Sequence, residues 1–200
     1  QLVNLARSGM VEFIKSRSGS DKQPIAASMK HLTTKFHPAS VTSRSSGKFL
    51  ARSFRADTNV CRSVLAAALD AMRNSNLPDR VTPSVLAGMT VEVEIHGPSR
   101  AVSAREMNSY LVQGLTGVTV SRGMNKGYVL PSTICAMGLS AKQTYHLCLA
   151  QLPKAPAITS KTEAWSIFNT KHYVGYPDAT VVQLFRGKIL VGLHGLTDEV

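Results

Sequence analysis

Cysteine is scarce and unpatterned in this chain. Cys61, Cys135 and Cys148 form no CxxC pair, and an odd number argues against a disulfide framework. A reducing, cytoplasmic setting suits them. Long apolar runs are missing as well: none approaches the roughly 18 to 20 residues that a membrane span needs, so no membrane partner is expected. No charged-then-apolar signal precedes Gln1, and a chain opening there reads as a piece of a longer protein. The usual cofactor and catalytic signatures are absent too. Arg122-Gly123-Met124-Asn125-Lys126-Gly127 lacks the spacing of a phosphate-cradling loop and precedes a strand, and neither GxSxG nor HExxH occurs. No cofactor or metal is expected.

What is present describes a folded protein. Of 200 residues 44% are hydrophobic and 18% charged, the balance of a globular chain able to bury a sizeable core. Basic residues outnumber acidic ones 23 to 12, and the excess is uneven. Residues 1–55 hold ten Lys and Arg against Glu12 and Asp21, which is eight of the eleven net positive charges. Such a block attracts polyanions by phosphate contacts and counterion release. Nucleic acid binding through residues 1–55 is therefore one expectation; a solvated surface facing an acidic partner is the other.

Patterning then predicts the elements. Gly117–Arg122 and Lys126–Leu130 are β-rich runs around a Gly- and Asn-containing connection, the composition of a hairpin, with Pro131 ending the second strand. Thr90–Ile95 alternates strictly, with Val91, Val93 and Ile95 on one face and Glu92 and Glu94 on the other, as a half-buried strand does. Leu2–Lys15 has helical apolar spacing, and 16–30 reads as a surface loop. Ala39–Thr42 and Lys48–Phe54 are expected to pair around Ser45-Ser46-Gly47. Asp57 or Thr58 caps a helix running to Arg73, and Thr82-Pro83 opens a single turn. Ser103/Glu106 and Ser140/Gln143 match capping boxes, the first opening a helix to Val112 and the second a helix to Gln151. Lys154–Lys161 reads as a linker, and Thr180–Leu184 with Lys188–Leu193 as a second hairpin. The fold class is α+β.

Candidate site residues are few. His146 and Cys148 lie two apart on a helix, which turns them away from each other. His31 and His37 flank the basic loop. His172, Tyr173 and Tyr176 cluster beside a Gly-Tyr-Pro turn, either as a conformational corner or as a stacking surface. Arg122 and Lys126 flank the central turn and suit an anion, with Tyr128 beside them.

The order of segments resembles the AMMECR family over most of residues 1–152. The likeness rests on LVNLARSGMVEFIK, on CRSVLAAALDAM followed by the Thr-Pro turn and TVEVEIHGP, on GVTVSRGMNKGYVLPS, and on HLCLAQL. Arg122, Gly123, Gly127, Leu130, Pro131, His146, Leu147, Cys148 and Leu149 match the family's most specific positions. The resemblance implies an α+β fold with a mixed or antiparallel sheet, flanking helices, and a larger and a smaller subdomain. The domain would span 1–200, with 153–200 as a linker and hairpin extension beyond the family core. It also implies partners, since relatives occur beside or fused to Memo-like and radical-SAM proteins. It implies no settled activity. The family signature Leu-Arg-Gly-Cys-Ile-Gly would fall near Phe49–Arg55, which here reads FLARSFR. Ser53 stands roughly at the cysteine's place, a weaker nucleophile that needs an activating base. An enzymatic reading would set substrate at Arg52 and Ser53.

Overall fold

The structure, a computed structural model, describes residues 1–17, 36–74, 85, 87–112, 114–153 and 163–184, with side chains described for all but 15–17 and 108. Among these residues the elements are, in order, α1 (Leu2–Arg17), β1 (Ala39–Ser45), β2 (Lys48–Arg55), α2 (Val60–Arg73), β3 (Met89–Val102), α3 (Met107–Tyr110), β4 (Thr116–Arg122), β5 (Asn125–Val129), α4 (Pro131–Met137), α5 (Ala141–Ala150), β6 (Ala164–Gly175) and β7 (Val181–Leu184). The protein is an α+β chain whose described strand pairs are antiparallel. It divides into two compact units, residues 1–96 with 171–184 and residues 97–170, so β3 and β6 each supply residues to both.

In the first unit the strand order is β2-β1-β3-β6, with β7 on β6. The β1–β2 hairpin turns through Ser46 and Gly47, both at positive φ (48° and 75°), the combination that matches the twist of the strands it joins. Ala39 and Val41 of β1 and Met89, Val91 and Val93 of β3 line one face of the sheet. Val3, Leu5, Ala6 and Met10 of α1 pack there with Val60, Val64, Ala67 and Ala68 of α2. Each fully buried Val or Met stabilises the unit by about 1.5–3 kcal/mol. The cap of α2 is Asn59, whose side chain accepts from Arg62 N, just beyond the expected Asp57 or Thr58. Asp57 instead begins an approach loop, its N–H donating to Ser63 Oγ at 2.9 Å. Arg7 projects from α1 and donates to the carbonyls of Met89 (2.8 Å), Gly175 (2.8 Å) and Tyr176 (2.7 Å).

In the second unit, β4 pairs β5 on one side and β6 on the other. The central hairpin is tighter than its composition implied, because Arg122 pairs with Asn125 and only Gly123 and Met124 remain to turn. Helix α5 opens at a complete capping box. Ser140 Oγ accepts from Gln143 N, and Gln143 Oε1 accepts from Ser140 N at 2.8 Å. The Ser103/Glu106 box forms its hydrogen bonds as well, but the helix behind it is only Met107–Tyr110. The local cap is satisfied without an apolar stripe long enough to continue the helix. Pro131 ends β5 and also occupies the first turn of α4, a helix absent from the sequence reading. Proline suits that position since its missing N–H would have no partner there.

Several boundaries move outward, and β1 runs on to Ser45. Helix α1 reaches Arg17, and β3 runs through Gly97-Pro98 to Val102. His31, the loop beyond Arg17, the Thr82-Pro83 turn, the linker 154–161 and the expected strand 188–193 lie outside the described residues.

Gly127 sits where β5 meets α5, and a Cβ there would collide with the carbonyl oxygen of Cys148. Gly127→Ala should therefore cost about 1–3 kcal/mol through forced backbone movement. A drop in the urea midpoint at unchanged slope checks this, and a midpoint equal to wild type would refute the close approach.

Candidate functional site

Strand alternation sends one side-chain set of β1, β2 and β3 onto the helices and the other onto the opposite face. The second set is unusual. Register places Arg52 opposite Thr42 and Thr42 opposite Glu92, a row across three strands. Ser40 pairs with Phe54 on one side and Glu94 on the other. The expected half-buried strand is thus wrong about its polar face, since Glu92 is 7% and Glu94 2% exposed. Burying carboxylates is costly unless they are paired, which directs attention to their partners.

Glu92 has two neighbours, one on each oxygen. Arg44 Nε donates to Oε1 at 2.6 Å, and His172 Nε2 lies 3.3 Å from Oε2. The arginine bond is well aligned. The histidine approach is of ion-pair length but lacks hydrogen-bond alignment, so Glu92 Oε2 and both ring nitrogens of His172 are buried without a hydrogen-bond partner. An unmade hydrogen bond at a buried polar atom costs about 1–3 kcal/mol, so His172, 2% exposed, is held on this face at some cost to stability. Burial alone would raise the Glu92 pKa. The close approach of His172 and the hydrogen bond and charge of Arg44 outweigh it and hold the carboxyl at about 2. Nearby, Ser40 Oγ and His96 Nε2 are hydrogen-bonded at 2.9 Å, the Phe54 ring lies 5.0 Å from the imidazole, and His37 Nδ1 donates to the His96 carbonyl at 3.1 Å. Burial pushes the His96 pKa down to about 4, so this imidazole is neutral.

The residues singled out from sequence fall into two groups. Arg52 and His172 share the ionic face, Arg52 donating from Nε to Thr42 Oγ1 at 2.7 Å. Ser53 pairs with Val41, so strand alternation sends it to the helix-packed side, away from Arg52. Tyr173 packs with the helix-side core while its neighbour His172 does not, and alternation likewise divides that pair. In the second unit Arg122 lies on the Val118–Val120 side, bonded to the Pro153 carbonyl at 3.1 Å and to Glu163 at 2.5 Å. Lys126, opposite Ser121, takes the other side and is exposed. Tyr128 is half-buried, its backbone bonded both ways to the Gln151 amide. His146 is exposed and Cys148 buried. The Cys148 thiol bonds the Val118 carbonyl at 3.7 Å, and burial pushes its pKa up to about 12, which suits an inert core residue. Arg44 and Glu92 were not singled out from sequence. Only their offset across β1 and β3 joins them, and no local spacing reports it.

No protein-family model matches the chain, and no curated protein does. Among solved structures, the chain is similar to the uncharacterized protein PH0010 from Pyrococcus horikoshii, with a TM-score of 0.73 over 92% of this chain and 94% of that one. Identity is 17%, so the likeness is one of fold. Among the described residues, no helix is long and apolar enough to cross a membrane, and no three His, Cys, Asp or Glu side chains converge as a metal site requires.

The two buried titrations define acid sensitivity. Both groups have folded pKa values below the ordinary ones, 6.5 to about 4 for His96 and 4.5 to about 2 for Glu92. Their contributions are complete above the ordinary values and disappear as pH falls through these windows, each on the order of 3 kcal/mol. Glu92→Gln should flatten the stability profile between about pH 4.5 and 2, and His96→Gln between about pH 6.5 and 4. Chemical denaturation across pH checks both; a Glu92→Gln profile parallel to wild type would refute the first.

Proposed function

We propose that this chain is an AMMECR-like domain acting as an accessory, ligand-handling component of a Memo/radical-SAM module in the cytoplasm. The observation that carries the reading is the buried ionic face of the first unit, where Arg44, Glu92 and His172 meet with hydrogen-bonding capacity left over. A prepared polar face suits holding a ligand. Covalent chemistry at Ser53 has less support, since no histidine or carboxylate among the described residues bonds its hydroxyl and Arg52 faces the other way. Cys61, Cys135 and Cys148 form no disulfide, which agrees with a reducing compartment.

The nucleic-acid alternative rests on ten cations in residues 1–55. Four of them are engaged within the chain: Arg7 with three carbonyls, Arg44 with Glu92, Arg52 with Thr42, and Arg55 with Asp70. Of the other six, only Lys48 has a described side chain, and it is exposed. Arg44 and Arg55 meet carboxylates from outside the block, Glu92 and Asp70, which lowers the positive charge that these two can offer a polyanion.

Immobilised chain should retain purified Memo-like and radical-SAM proteins from the same genome at near-physiological salt. Retention of neither would overturn the accessory role. In parallel, a single-stranded RNA titration should show little binding. Tight binding that weakens steeply between 50 and 200 mM salt would favour the polyanion reading instead.

A further inference from the structure

We infer that Tyr110, Val112 and Leu115, with Arg100 stacked on Tyr110, form a docking surface for an acidic protein segment that carries an apolar side chain beside its carboxylates. The surface lies wholly within the second unit, so the inference goes beyond the accessory reading, which rests on the first.

Apolar side chains on a surface are ordinary when scattered and informative when grouped. Tyr110 is 39%, Val112 46% and Leu115 38% exposed, all within one short stretch of chain. Local backbone geometry puts them there. Helix α3 stops at Tyr110, and Leu111 is extended (φ −77°, ψ 96°), its side chain packed on the core of the second unit. The residues on either side of it, Tyr110 and Val112, are turned outward, as alternation in extended backbone requires. The segment is also pinned. Leu111 N–H donates to the Met107 carbonyl at 3.0 Å, and the Val112 carbonyl accepts from Leu115 at 3.0 Å and from Thr116 at 2.9 Å. Val112 N–H donates to Thr116 Oγ1 at 3.3 Å. A partner meeting this surface has little backbone left to order.

The chemistry of the occupant follows from Arg100. Its Cζ lies 3.9 Å from the Tyr110 ring centroid, a cation–π contact. A guanidinium held by its face keeps its N–H donors in its own plane, clear of the ring, where a carboxylate can accept two of them at once. Tyr and Arg are also residue types that anchor interfaces. Beside them Arg105 is exposed, whereas Glu106 is occupied. It accepts from Ser103 N–H at 3.0 Å and from Ser103 Oγ at 2.7 Å, and it lies near enough to Arg100 to feel its charge. Among the described residues of the second unit, Arg100, Arg105, Arg122, Lys126 and Lys142 stand against Glu106 and Glu163. The balance is positive, which favours an acidic partner. A second copy would set this positive surface against its like. A nucleic acid would engage Arg100 and Tyr110 but leave the aliphatic Val112 and Leu115 uncovered.

The test selects random short peptides displayed on phage against the immobilised full chain; the most enriched one is then synthesised and titrated by fluorescence anisotropy. Enriched sequences should place Asp or Glu beside Leu, Phe or Trp. Tyr110→Ala and Arg100→Glu should each weaken the synthetic peptide about tenfold or more, the loss expected of an interface anchor, and its affinity should fall as salt rises. Met124 is exposed beyond the far end of β4 from Leu115, and Met124→Ala should leave the affinity unchanged. Each substituted side chain is exposed, so the variants should keep the wild-type urea midpoint. No enrichment, enrichment without carboxylates, or an affinity indifferent to Tyr110 and Arg100 would each overturn the proposal. A dimer in sedimentation that Val112→Glu dissolves would give the surface to a second copy, and a single-stranded RNA that displaces the peptide would give it to a polyanion; either overturns the acidic partner. None of these measurements uses a Memo-like or radical-SAM protein, so the accessory role stands or falls separately.

Discussion

The bond from Arg44 Nε to Glu92 Oε1 sets the ionic state of a whole sheet face. Removing a carboxylate from water is unfavourable by more than a neutral hydrogen bond can offset, so a covered glutamate either protonates or finds a cation. Here the cation comes from the neighbouring strand, two residues beyond the Thr42 that lies opposite Glu92. Register therefore matters more than any single contact. A one-residue slip between β1 and β3 would carry Arg44 to the hydrophobic side and leave Glu92 uncompensated. The apolar set of β3, Met89, Val91 and Val93, enforces the same register from the other side. Ionic and hydrophobic specifications agree, and agreement across levels is how a sequence selects one pairing.

Much of the chain is legible because its signals are local. The Ser140/Gln143 box is a three-residue spacing, and it forms as read. The β1–β2 hairpin follows from Ser46-Gly47, and the amphipathic faces of α1 and α2 follow from helical period. Errors occur where local signals compete or where burial comes from elsewhere. Pro131 both stops a strand and starts a helix, and only the first meaning was apparent. Ser103 and Glu106 make their reciprocal bonds yet open a single turn. Glu92 and Glu94 have the alternation of a solvated face, and nothing within β3 says that this side is covered.

The candidate site divides along the same line. His172 stands out in the sequence as part of an aromatic cluster, whereas its working neighbours, Arg44 and Glu92, lie 128 and 80 residues away along the chain. Tyr173, its adjacent residue, belongs to the opposite face for the elementary reason that strand side chains alternate. Arg122 and Lys126 are parted by the same pleat. Sequence proximity on a strand separates side chains, and antiparallel pairing brings distant ones together.

The division of the chain has a temporal consequence. The first unit needs residues 171–184, which follow the whole of residues 97–170. Arg7, near the amino terminus, is tied to carbonyls 168 and 169 residues later. On a ribosome that adds about 5–20 residues per second, α1, α2 and the β1–β2 hairpin wait several seconds with a sheet neighbour missing. Residues 97–170 of the second unit are all made before residues 171–184 can complete the first. His172 arrives only with the returning strand β6, so the ionic face is completed well after the strands β1 and β3 that supply Arg44 and Glu92.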